Sequence, residues 1–174
     1  MSASPQIVGV PVEVYLRSSY EPDAEYVDGV IEERPIGQYD HSSWQHAIDA
    51  WFTQHAKEWG IRARPELRLQ VAAKNFRVPD VMVLDRDRPI EQIVTQPPVA
   101  VFEVLSPEDT VSKLMIKLGE YERMGIPTIV VIDPEAGNHR RYVSGRLEPL
   151  PAEAFDLPKS RCRFDLKEIE KLLD

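Results

Sequence analysis

Apolar and polar positions repeat with different periods along this chain, and these periods predict a series of helices and strands. Residues 41–59 carry apolar side chains at helical spacing, and Gly60 follows as a stop. Residues 66–72 alternate apolar and polar side chains, which is the pattern of a half-buried strand. Two denser apolar runs, at residues 78–84 and 99–105, are typical of central strands.

Turn and breaker residues delimit the remaining elements. Asp28-Gly29 between two short apolar pairs predicts a β-hairpin. Ser106, followed by a proline and two acids, predicts the start of another helix, which we expect to end at Gly125. Three further segments complete the pattern: a buried strand at 128–132, an edge hairpin at 140–150 and a terminal helix at 165–173.

The order of these elements predicts an α/β fold with a central mixed β-sheet flanked by α-helices. At 174 residues, the chain is long enough to bury about two-thirds of its unfolded surface in one domain. We therefore expect a single domain over residues 1–174. Residues 1–11, punctuated by proline and glycine, are expected to form a flexible arm, and residues 12–17 suit either a short strand or a helix start.

Charge and cysteine content narrow the classes of function. The chain has 21 Lys and Arg against 29 Asp and Glu, a formal net charge of −8. This balance counts against extensive nonspecific nucleic-acid binding, although it allows a local basic strip. Cys162 is the single cysteine, which fits a reducing compartment, and no apolar run approaches the length of a membrane span. We expect a cytoplasmic protein with no membrane contact.

Three ionisable residues stand where charge is costly. Asp80 and Glu103 each lie inside an apolar run, and Lys117 follows in a helical pattern. A charged group removed from water must be paired or must bind a metal. Two carboxylates with a nearby lysine predict a hard-metal site with a cationic helper, the chemistry of phosphodiester cleavage.

Both carboxylates also have a purely structural interpretation. Asp80 could cap a loop or pair with an arginine such as Arg77, and Glu103 could form a buried ion pair with Lys117. In the metal interpretation, Asp80, Glu103 and the Val104 carbonyl present oxygen atoms to Mg²⁺. The sequence leaves both interpretations open.

Helix arithmetic places Lys117 at the edge of the apolar stripe of its helix. Its long stem could cover core surface while the ammonium group reaches the end of the sheet and stabilises charge on a transition state. The structural alternative is a lysine paired with Tyr121 or Glu120. Lys113, one turn earlier, is predicted to face solvent.

Two residues nearer the N-terminus could approach the same site. Glu25 precedes the Asp28-Gly29 turn, and His41 opens the first long helix. The simpler interpretation of Glu25 is a surface carboxylate, and that of His41 is a histidine at a helix entry.

The segments carrying these residues together resemble a known group of nucleases. The matching stretches are residues 24–33, the helix opening at His41, and residues 77–84, 101–110 and 117–134. They resemble the PD-(D/E)XK nuclease superfamily and, more narrowly, the bacterial Uma-type family of putative restriction endonucleases.

The resemblance implies a restriction-endonuclease-like core and Mg²⁺-dependent DNA cleavage, with Mn²⁺ as a possible substitute. It implies Asp80 and Glu103 as metal ligands, with Glu25 joining them. The superfamily's usual lysine would stand at Leu105, and the resemblance implies that Lys117 replaces it from the next helix.

The leading hypothesis is a DNA endonuclease in which water attacks phosphorus in line and Lys117 orients that water or stabilises charge. A homodimer would suit an enzyme that cuts two strands. Two alternatives remain: a non-catalytic interaction protein on a nuclease-like fold, and a metal-dependent hydrolase of a small phosphoester.

Overall fold

The computed structural model describes residues 6–173. The helices are α1 (Val12–Arg17), α2 (Tyr39–Gln54), α3 (Ala56–Trp59), α4 (Val111–Met124) and α5 (Leu166–Glu170). The strands are β1 (Gln6–Val8), β2 (Ala24–Val27), β3 (Val30–Glu33), β4 (Ile61–Pro65), β5 (Leu69–Ala72), β6 (Asn75–Arg77), β7 (Val81–Asp85), β8 (Ala100–Val104), β9 (Thr128–Ile132), β10 (Arg140–Val143), β11 (Arg146–Pro149), β12 (Phe155–Asp156) and β13 (Arg163–Phe164).

The larger sheet has the described strands in the order β11-β10-β9-β8-β7-β4. Strands β8 and β9 run parallel and are joined by α4, because parallel neighbours need a crossover connection. The other neighbouring pairs of this sheet are antiparallel. The predicted α/β fold, with a central mixed sheet flanked by helices, is thereby confirmed.

A second, antiparallel sheet has the order β1-β3-β2-β6-β5. Its β2–β3 hairpin turns at Asp28 and Gly29, whose φ angles of 49° and 85° are the left-handed pair that such a turn requires. Strand β6 of this sheet is followed, after residues 78–80, by β7 of the larger sheet. The chain therefore crosses from one sheet to the other at Asp80.

The central strand β8 has a different core on each of its faces. Phe102 and Val104 belong to the core shared with α2 and α5, whereas Val101 belongs to the core shared with α4. Because side chains alternate along a strand, Glu103 lies on the same face as Val101. The alternation thus directs this carboxylate toward α4.

Several predicted boundaries were wrong in instructive ways. The helix predicted at 41–59 begins at Tyr39 and is broken at His55 into α2 and α3. The strand predicted at 66–72 begins only at Leu69, after the unpredicted strand β4. Edge hairpin 140–150 is present as β10 and β11, and the terminal helix is shorter than predicted.

Helix α4 begins four residues later than the capping pattern at Ser106 predicted. The Asp109 carboxylate accepts from the Ser106 N–H at 2.7 Å, so these residues close a turn instead of a first helical turn. Thr110 is the N-cap and its hydroxyl accepts from the Lys113 N–H. The predicted end at Gly125 is confirmed, with the glycine in the left-handed region at φ 92°.

The N-terminal segment divides into two parts. Of the arm predicted at 1–11, residues 1–5 lie outside the described residues, while Gln6–Val8 pairs with β3 as strand β1. Residues 12–17, left open between strand and helix, form α1.

Candidate functional site

An open cleft of about 110 Å³ lies where the two sheets and α4 meet. Its lining brings together Glu25, Arg34, His41, Asp80, Glu103 and Lys117. These residues come from β2, the end of β3, α2, the crossover at residue 80, β8 and α4, so the cleft assembles segments distant in sequence.

Asp80 is buried at the entrance to β7 and both of its oxygens are engaged. Its Oδ2 accepts a hydrogen bond of 2.7 Å from the backbone N–H of Val104. Its Oδ1 accepts from the Arg34 guanidinium and lies 3.3 Å from His41 Nε2. Burial alone would raise the pKa of Asp80, but the bond from His41 and the charge of Arg34 outweigh it and lower that pKa. Asp80 is therefore held as a carboxylate.

Glu103 lies beside Asp80 because of strand register. Val81 pairs with Phe102 across the β7–β8 ladder, so the preceding Asp80 comes next to Glu103. The Tyr121 hydroxyl donates to Glu103 Oε1 at 2.5 Å, and Lys117 Nζ lies 3.6 Å from Oε2. Burial raises the pKa of Glu103 to about 7, partly opposed by Lys117 and reinforced by the charge of Asp80.

Glu25 is buried, so its interpretation as a surface carboxylate was wrong. Its Oε1 accepts from the Val78 N–H at 3.0 Å and lies 3.2 Å from Lys117 Nζ, while Oε2 accepts from Arg77 at 3.0 Å. Burial would raise the pKa of Glu25, but Lys117 and then Arg77 lower it below its usual value. Arg77 also donates to the buried Glu120 at 2.5 Å.

Lys117 bridges two of the buried carboxylates. Its side chain is 19% exposed and its Nζ reaches Glu25 and Glu103. Burial would lower the pKa of Lys117, but these two carboxylates raise it, so the side chain is a cation at neutral pH. Lys117 thus lies at the end of the sheet, as its position on the helix predicted. The ion pair with Glu103 that the sequence allowed is present, Glu25 is a second partner, and the suggested pairing with Tyr121 or Glu120 was wrong.

The structure also decides the alternatives for the other predicted residues. Asp80 pairs with an arginine, as its structural alternative expected, but this arginine is Arg34 and not Arg77, and His41 is a further partner. His41 contributes directly to the cleft instead of serving as a simple helix entry. Val104 lines the cleft and donates its N–H to Asp80. Lys113 is exposed at the cleft, as predicted.

Sequence reasoning missed Arg34 and the part played by Arg77 and Glu120. Arg34 directly follows the predicted hairpin, and Arg77 lies three residues before Asp80. The signal available was the requirement that buried carboxylates have cationic partners. That requirement does not identify which arginine serves which acid.

The oxygen atoms of this cleft are of the type that a hard divalent cation binds. Glu25, Asp80 and Glu103 supply carboxylate oxygens, the ligands that Mg²⁺ prefers, and repulsion from Glu25 and Asp80 helps to raise the pKa of Glu103. The carboxylates are nevertheless already engaged by hydrogen bonds and ion pairs. Within the described residues, no three Asp, Glu, His or Cys side chains are placed to hold a metal. A cation that bound here would compete with the side-chain donors that now hold these oxygens.

Comparison with known proteins identifies relatives of the chain. The Uma2 family, described as "Putative restriction endonuclease", matches residues 12–160. A crystal structure of a putative nuclease belonging to DUF820 from Anabaena variabilis ATCC 29413 has a TM-score of 0.79 and 22% identity, covering 95% of this chain and 99% of that one. At this identity the similarity establishes the fold.

A cryo-EM structure of a DrdV–DNA complex is a more distant match. It has a TM-score of 0.41 and 18% identity, covering 76% of this chain and 11% of that chain. That similarity is too low to support a conclusion about this chain. None of the curated proteins matches this chain.

Proposed function

Because the chain belongs to the Uma2 family of putative restriction endonucleases, we propose that it is a DNA endonuclease that depends on Mg²⁺, with Mn²⁺ as a substitute. The observation that carries this proposal is the convergence of three buried carboxylates and Lys117 in one open cleft. Buried ionisable groups with perturbed pKa values are typical of active sites.

In this proposal Asp80 and Glu103 hold the metal ion, assisted by the Val104 carbonyl and by Glu25. A bound divalent cation would supply Lewis-acid stabilisation of charge on the phosphoryl group. The rigid ladder between β7 and β8 keeps the two principal carboxylates adjacent, which limits the rearrangement that metal binding requires.

Lys117 supplies the cationic chemistry of the proposed reaction. Its ammonium group is anchored by Glu25 and Glu103, so it is positioned to orient a water molecule or to stabilise the negative charge on the phosphoryl oxygens. Glu103, whose pKa is about 7, is the group whose proton must leave before it can serve as a full ligand.

The direct test is a nicking assay on supercoiled plasmid with Mg²⁺ or Mn²⁺. We expect Asp80→Ala and Lys117→Ala each to abolish detectable nicking, whereas Lys167→Ala, at an exposed position of α5, leaves it unchanged. Nicking that survives both cleft substitutions would show that the activity belongs elsewhere. Light scattering on the same preparations tests the proposed homodimer.

A second candidate, a non-catalytic interaction protein, is favoured by the closed pairing of the carboxylate oxygens. In that case the network is a structural unit and no metal enters it. Calorimetry with Mn²⁺ separates the two: the nuclease proposal expects saturable binding that Glu103→Gln abolishes, and the alternative expects no binding to either protein.

A further inference from the structure

We infer that Arg34 is a latch on the proposed metal site, and that a DNA phosphate in the cleft releases it, so that metal and DNA bind cooperatively. The inference rests on the proposed function and concerns how that site is opened. It starts from the way the two oxygens of Asp80 are held.

The two oxygens of Asp80 have donors of different mobility. Oδ2 is bound by the backbone N–H of Val104, in a central strand paired on both sides. Oδ1 is bound by side chains, those of Arg34 and His41. A divalent ion coordinated by Asp80 would therefore bind Oδ1, the atom to which Arg34 donates.

Arg34 has a path out of this position. Its side chain is 13% exposed and lines the open cleft. Its Nη1 already lies 3.7 Å from Oε1 of Glu66, which is half exposed at the surface. The guanidinium thus spans the distance from the buried Asp80 to the solvent side, while the Arg34 backbone stays anchored through its N–H to the Asp23 carbonyl at 2.9 Å.

The charge of the described network gives the reason for cooperativity. The network contains four buried carboxylates and three cations: Glu25, Asp80, Glu103 and Glu120 against Arg34, Arg77 and Lys117. Counted without His41, the four acids when ionised exceed the three cations by one charge. A divalent ion would turn this into an excess of at least one positive charge in a poorly solvated region, which is costly.

A phosphodiester carries one negative charge and offsets one positive charge of this excess. Like a carboxylate, it is a partner that a guanidinium binds well, because its oxygens match the planar fork of N–H donors. Phosphate in the cleft would therefore draw Arg34 from Asp80 at the same time as it offsets the charge of the metal. Each ligand then improves the binding of the other, as linkage requires.

The test measures Mn²⁺ affinity, not cleavage, by electron paramagnetic resonance of free Mn²⁺. Titrations are run with and without a short DNA duplex whose bridging methylene phosphonates cannot be hydrolysed. For the unsubstituted protein we expect the duplex to tighten Mn²⁺ binding about tenfold. For Arg34→Gln without DNA we expect binding about fivefold tighter than in the unsubstituted protein, with the effect of the duplex reduced to about twofold or less.

Two further variants keep the test decisive. Arg34→Lys retains the charge and lacks the planar fork, so we expect its Mn²⁺ affinity to lie between that of the unsubstituted protein and the fivefold gain expected for Arg34→Gln. This variant tests the latch even if Arg34→Gln does not fold. Arg141→Gln removes an arginine from a half-exposed pair with Glu148 on the edge hairpin and should match the unsubstituted protein.

The outcomes separate the latch from the metal site itself. Saturable Mn²⁺ binding that is not tightened in either Arg34 variant, or a duplex effect that persists unchanged in both, overturns the latch and leaves the proposed function standing. Absence of saturable Mn²⁺ binding in every protein, with and without duplex, overturns the metal site and the latch with it.

Discussion

Replacing Glu103 with glutamine should stabilise the metal-free protein. Glu103 is 5% exposed, and its pKa rises from 4.5 to about 7 because burial disfavours its charge. The difference between these two pKa values corresponds to about 3 kcal/mol between the protonated and ionised forms. Glutamine resembles the protonated acid in shape and keeps an oxygen to accept from Tyr121.

The sign of the effect follows from proton binding. The folded protein holds the Glu103 proton more tightly than the unfolded chain does, so ionised Glu103 lowers the free energy of unfolding as pH rises from about 4.5 to about 7. The advantage of the glutamine variant should therefore grow from about zero at pH 4 to about 3 kcal/mol at pH 8. The shifts of the other acids are common to both proteins and largely cancel in the difference.

Urea unfolding in EDTA, followed by the fluorescence of the three tryptophans, measures this difference at a series of pH values. Glu148→Gln, at a half-exposed position on β11, is the matched control and should show no such trend. A Glu103→Gln variant less stable than the unsubstituted protein at pH 8, or a difference independent of pH, would refute the electrostatic reasoning.

Three further predictions concern capping, buried pairing and metal linkage. Thr110→Ala should cost about 1 kcal/mol in urea unfolding because it removes the N-cap of α4, while Ser106→Ala should change stability little. Arg77→Met should cost about 3 kcal/mol because it leaves two buried carboxylates without their shared cation, and Arg141→Gln should cost under about 0.5 kcal/mol. Saturating Mn²⁺ should raise the thermal unfolding midpoint of the unsubstituted protein and leave that of Glu103→Gln unchanged.

Much of the fold could be predicted because its signals are local. The hairpin at Asp28-Gly29 and the buried strand at 128–132 depend on residues close together in sequence. The start of α4 was wrong because two capping patterns compete within residues 106–113, and Asp109 closes a turn that removes the first. Strand β4 was missed although Ile61 and Ala63 are buried and alternate with two arginines, because the alternation has only two apolar positions before Pro65.

The two central acids of the candidate site could be predicted from the sequence, but the arginine that pairs with Asp80 could not. Asp80 and Glu103 stood out because a charge inside an apolar run is costly wherever the chain folds. Arg34 did not, because nothing local distinguishes it from other arginines near strand ends. Its partner Asp80 is 46 residues away, and the two meet only because the smaller sheet packs beside the crossover into β7.

The sequence by itself determined which positions must be buried and which of them carry a charge that needs compensation, since both follow from side-chain chemistry and short-range periodicity. The tertiary structure alone decided which cation compensates which carboxylate. Lys117 pairs with both Glu25 and Glu103, and Arg34 pairs with Asp80. Electrostatic energy depends on distance through space, and that distance is set by the junction of two sheets and a helix.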